Sequence, residues 1–200
     1  MNITRNPSGA RALAVGAGLA LALAMGAAPT AAMAEVRVGT TDVTVKADIS
    51  NVSFKAPTVI PFAANADGTL VGPSDKTITI DNLSAYGIHV TNMKVTAKND
   101  WTIVADAKTG SAQNSIDFKV GPDKAEKDAS SATQTTGLDL SKDANFDMKY
   151  QGIADGTDKI KLNVSGHVAR VTRDIYHATG TGDQVASITW TVEPGAHATS

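Results

Sequence analysis

Ala186-Ser187-Ile188-Thr189-Trp190-Thr191-Val192-Glu193 places Ala186, Ile188, Trp190 and Val192 at every second position, with Ser187, Thr189, Thr191 and Glu193 between them. Successive side chains of a strand point to opposite faces, so this rhythm predicts a strand with one face in a core and the other in water. The rhythm recurs outward along the chain. Ile160, Leu162 and Val164 alternate with Lys161 and Asn163, and Phe146, Met148 and Tyr150 with Asp147 and Lys149. Ile116, Phe118 and Val120 alternate with Asp117 and Lys119, Ile78 and Ile80 with Thr77 and Thr79. Near the beginning, Val43, Val45, Ala47 and Ile49 alternate with Thr44, Lys46 and Asp48. Between Ile88 and Ala97 the phase slips: Ile88 and Val90 share one parity, Met93, Val95 and Ala97 the other, which predicts a β-bulge or turn near Asn92.

Half-buried strands of this kind belong to antiparallel sheets, whereas parallel sheets show continuous apolar runs. Turn residues separate the segments at Asp67-Gly68, Gly72-Pro73, Gly121-Pro122, Asp155-Gly156 and Gly180-Thr181-Gly182. Residues 122–136 have no apolar stripe at helical spacing and read as a polar loop with one exposed helical turn. The fold class is therefore all-β, an antiparallel β-sandwich of roughly eight to eleven short strands.

The first 34 residues read as a cleaved signal peptide. Arg5 and Arg11 supply a basic region, Ala12 to Ala28 an apolar one, and Ala32-Met33-Ala34 a small-residue cleavage site before Glu35. Its removal from the 200 residues leaves 166, residues 35–200, enough for one domain with a real core. This predicts a secreted, extracellular protein with no membrane association after cleavage. The chain has no cysteine, so thiol catalysis and cysteine-held metals are excluded and packing must hold the fold. Without Arg5 and Arg11 the 18 basic residues fall to 16 against 20 acidic ones, a mildly acidic balance with no affinity for nucleic acid.

Chemistry-bearing motifs are sparse. Gly-x-Ser-x-Gly and His-Glu-x-x-His do not occur, and His89, His167, His177 and His197 lack ligand spacing. Asn65-Ala66-Asp67-Gly68-Thr69 has the oxygen-rich start of a calcium loop without its later ligands, and reads as a turn. The reading is of a non-enzyme with no catalytic residues, cofactor or metal. A hydrolase of wall polysaccharide is the least favoured class.

Trp101-Thr102-Ile103 and Trp190-Thr191-Val192 are two Trp-x-aliphatic strands. Each ring either fills the core or offers a stacking platform at the surface. With Ile88 to Val95 leading to Trp101, Pro57-Thr58-Val59-Ile60-Pro61-Phe62 near the start, and Ala186 to Val192 at the end, the chain resembles the WxL domain of Gram-positive bacterial surface proteins. The resemblance covers most of residues 50 to 195, with leucine replaced by Ile103 and Val192. It implies an extracellular β-sandwich-like domain, held non-covalently to the cell wall through peptidoglycan, with Trp101, Ile103, Trp190 and Val192 as the carried-over binding residues. The partners expected are a cell-wall polymer or other surface proteins, with self-association possible. The competing expectation is a structural subunit of an extracellular fibre or pilus, built when Glu35 to Ile49 adds a strand to a neighbouring copy.

Overall fold

In a computed structural model the chain is described at Lys46 and over residues 51–73, 78–175 and 182–198. The leader, the first alternating segment Val43 to Ile49 apart from Lys46, Thr77, His177 and the Gly180-Thr181 part of the last turn lie outside the described residues.

Among the described residues thirteen strands are formed. They run Phe54–Lys55 (β1), Ala63–Ala64 (β2), Thr69–Val71 (β3), Thr79–Asn82 (β4), Ile88–Ala97 (β5), Thr102–Ile103 (β6) and Ser115–Gly121 (β7). Lys127–Asp128 (β8), Leu138–Asp139 (β9), Asp147–Met148 (β10), Lys159–Lys161 (β11), Asn163–Ala169 (β12) and Ala186–Pro194 (β13) follow. They build three sheets, ordered β1-β4-β11, β10-β5-β13 with β9 also on β5, and β2-β3-β12-β7-β6 with β8 also on β7. Every pairing is antiparallel except β6 with β7. The count exceeds eight to eleven because six strands are only two residues long, too short for any alternation to register.

The two-residue rhythm is realised where strands are long. Ile116, Phe118 and Val120 of β7 are buried, as are Ile88, Val90, Met93 and Val95 of β5. The phase slip in β5 is a register shift: Thr191 of β13 pairs with Asn92, but Val192 pairs with Val90, leaving Thr91 unopposed. One extra residue turns both Val90 and Met93 toward the core. Side chains from all three sheets, among them Ile80, Ile88, Met93, Val120 and Phe146, join one hydrophobic cluster. Each such side chain, fully buried, contributes about 1.5–3 kcal/mol.

Three expectations change. The run through Ile160, Leu162 and Val164 is not one strand: β11 and β12 belong to different sheets, and the chain crosses at Leu162, whose N–H bonds the Ile78 carbonyl at 2.8 Å. The run Phe146 to Tyr150 shortens to β10, with Phe146 ending a 3₁₀ turn and Tyr150 left 50% exposed. Segment 122–136 is less open than its polar composition implies: β8 pairs with β7, and the 3₁₀ turn Ala129–Ala132 fully buries Ala129 and Ala132. Alanines three apart eclipse on a 3₁₀ turn and cover one spot of the core.

The recurring Ala-Asp-Gly-Thr stretches are the same turn built twice. Asp67 accepts from the Thr69 N–H and hydroxyl, both at 2.9 Å, and Asp155 from those of Thr157 at 3.0 and 2.6 Å. These bonds hold Asp67 below the usual carboxylate range and lower Asp155 to about 2. The Asp67 carboxylate is thus engaged by its own turn.

Candidate functional site

Trp101 lies one residue before β6, not within it. Asn99 and Asp100 both take left-handed φ values, 49° and 59°, and the Trp101 N–H returns to the Lys98 carbonyl at 3.0 Å. Asn and Asp tolerate that region best among side-chain-bearing residues, so this short turn aims the indole inward. The ring is 4% exposed and its Nε1–H donates to Asp183 Oδ2 at 2.9 Å. Arg173 Nε donates to the same oxygen at 2.5 Å and Asn99 Nδ2 to Oδ1 at 2.9 Å. The Arg173 hydrogen bond, then that of Trp101, draws the Asp183 carboxyl down to about 2. A buried indole N–H needs an acceptor, and this carboxylate supplies it from 82 positions away.

The other carried-over residues also pack against the hydrophobic cluster. Trp190 is 9% exposed and faces Met93 across the β13–β5 ladder; Ile103 and Val192 are half-buried against the same cluster. Thr189, Thr191 and Glu193 form the exposed face of β13. The two indoles thus belong to the core.

Two histidines meet where no sequence signal marked a site. His89 is 2% exposed within β5. Its Nδ1 lies 2.7 Å from Asp147 Oδ1 and its Nε2 2.9 Å from the Leu140 carbonyl. His197 places Nδ1 2.7 Å from Asp147 Oδ2 and donates its backbone N–H to Oδ1 at 2.8 Å. A carbonyl oxygen only accepts, so His89 Nε2 carries the hydrogen. With Nε2 committed to a carbonyl, His89 cannot pass a proton to a nucleophile as a catalytic triad requires. The group instead pins the C-terminal segment to β5 and β10.

His167 repeats the pattern on β12. Asp117 Oδ1 accepts its N–H at 3.0 Å and lies 3.2 Å from Nδ1, while Oδ2 accepts the Ala107 N–H at 2.7 Å. Among the described residues no group of three or more His, Asp or Glu side chains is arranged to hold a metal ion.

The described surface has a shallow hollow of about 420 Å³ where β11 passes into β12, lined by Pro122, Asn145, Lys159, Ile160, Lys161 and Asn163 among others. It carries both signs of charge. The outer edge of β13 has, among the described residues, β5 as its sole neighbour. Comparison with family models, with curated proteins and with solved structures finds no match for the chain.

Proposed function

We propose that the chain is an exported, non-catalytic module of the bacterial cell surface that associates with a cell-wall polymer, similar to WxL domains, and that its sheets close as a two-layer β-sandwich. The observation that carries the reading is the single core shared by all three sheets, into which both Trp-x-aliphatic positions are built. In this reading Trp101 and Trp190 mark the scaffold. Wall contact falls to exposed polar surface, and the hollow around Lys161 and Asn145 offers donors and acceptors of the kind a polysaccharide or peptide-bearing glycan can match. In this reading His89 and His167 serve the scaffold, engaged in hydrogen bonds with Asp147, the Leu140 carbonyl and Asp117.

Sedimentation with purified cell walls tests the proposal. The protein is expected in the pellet, and Lys161→Glu is expected to reduce the retained fraction several-fold without changing thermal stability. Retention no greater than that of an unrelated β-sandwich would refute wall binding. Retention unaffected by Lys161→Glu would move the contact away from the hollow.

A further inference from the structure

β5 opens with three buried residues in succession, Ile88, His89 and Val90. Alternation turns Ile88 and Val90 to the shared core and His89 to the opposite face, so that second face is covered as well. The C-terminal segment lies over it. The Gly195 N–H donates to the Gly87 carbonyl at 2.9 Å and the Ala198 N–H to the Ser141 carbonyl at 2.8 Å. Between them the His197 N–H donates to Asp147 Oδ1 at 2.8 Å, and its ring centre stands 6.2 Å from that of His89.

Both ring nitrogens of His89 face groups that accept. Nε2 lies 2.9 Å from the Leu140 carbonyl, which has no hydrogen to give. Nδ1 lies 2.7 Å from Asp147 Oδ1, the oxygen that already takes the His197 N–H. A neutral imidazole has one N–H and one bare nitrogen, so it would set a lone pair against one of these acceptors. Hydrogens on both nitrogens satisfy both contacts and place a cation beside an anion. A proton on Asp147 instead would put a neutral carboxyl against a fixed backbone donor, and donors of that kind favour the ionised form.

The surrounding charges agree. The cross-strand neighbours of His89 are Asp147 of β10 and Glu193 of β13, both carboxylates. Around the Leu140 carbonyl, Asp139 accepts the Ser141 N–H at 2.9 Å, Lys142 is exposed, and Asp143 is paired with Lys127 at 2.6 Å. Asp147 also borders the hollow whose lining carries Asp123, Lys159 and Lys161.

We infer that His89 is a buried imidazolium whose second proton latches the C-terminal segment. With that proton, Asp147 joins His89 to His197. Without it, one of the two ring contacts turns repulsive and residues 195–198 are released. The latched form holds the proton and the open form gives it up, so a rise in pH opens the latch. The device stands independently of wall binding.

Nitrogen-15 NMR of the histidine rings, run beside amide hydrogen exchange on the exported chain, tests it. At about pH 6 both ring nitrogens of His89 are expected to carry hydrogen, and the pH is then raised until one hydrogen is lost. Across that step the amides of Gly195, His197 and Ala198 should speed up about tenfold more than those of β12, which share only the general hydroxide effect. Asp147→Asn keeps an acceptor oxygen and removes the anion. In that variant His89 should hold a single ring hydrogen and the extra step should vanish, with β12 exchange reporting that the sheets remain folded. A bare nitrogen on His89 at every pH in the unaltered chain overturns the inference. So does loss of the second hydrogen with no response from residues 195–198, retention of both hydrogens until the sheets unfold, or an extra step that survives in Asp147→Asn.

Discussion

Replacing Asp183 with alanine is the sharpest probe of how the first tryptophan is held. The substitution removes the acceptor of the Trp101 indole N–H, itself 4% exposed, along with the partner of Arg173. An unsatisfied buried donor costs about 1–3 kcal/mol. The charge part adds to this: lowering the carboxyl from 3.8 to about 2 corresponds to at most about 2.4 kcal/mol, which solvent at this rim position reduces to about 1 kcal/mol. Asp183→Ala should therefore lose about 2–4 kcal/mol at neutral pH, and Asp183→Asn, which keeps an acceptor for the indole, about 1 kcal/mol. The folded carboxyl titrates below the unfolded one, so its charge contribution is complete above about pH 4 and disappears as pH falls toward 2. Urea unfolding of the parent and both variants, at pH 7 and in steps from pH 4.5 to 2.5, measures both parts. A loss under 0.5 kcal/mol for alanine, or a parent–asparagine gap that stays constant down to pH 2.5, would refute the reasoning (both thresholds being estimates on the order of one surface hydrogen bond).

Two further outcomes follow from packing. Gly166 sits in β12 between Leu70 of β3 and Phe118 of β7, and an added Cβ would lie 2.1 Å from the Asp117 carbonyl oxygen. Gly166→Ala should cost about 3 kcal/mol or prevent folding, seen as a fall in thermal midpoint by calorimetry; an unchanged midpoint would show that the β7–β12 spacing is wrong. His89→Leu keeps side-chain volume but removes one of two hydrogen bonds at the Leu140 carbonyl, which keeps the Asp143 N–H, and one of two at Asp147 Oδ1, which keeps the His197 N–H, so it should destabilise by about 1–3 kcal/mol in denaturant unfolding and raise amide exchange in residues 196–198. Stability equal to the parent would mean the two histidines do not clasp Asp147.

The extent of the β-structure was legible because alternation is a local property: Ile116, Phe118 and Val120 announce their common face whatever they pair with. Even the β5 bulge could be read, since the change of parity between Val90 and Met93 is written within the strand. Strands such as β8 and β9 could not, because two residues become a strand only through a partner elsewhere in the chain. The same reason hid the Asp147 clasp, whose histidines stand 58 and 50 positions from the carboxylate in opposite directions.

What the residues determined by themselves was the class of structure: period-two burial, glycine turns and a cysteine-free composition leave sheets packed on an apolar core. Only the tertiary structure decided where the tryptophans sit. Trp101 looks the same in sequence whether it faces a ligand or the core, and the difference is made by Asp183 and Arg173, brought to its N–H by the closing of strands far apart in the chain. Local sequence sets which side chains share a face; long-range pairing sets what that face meets.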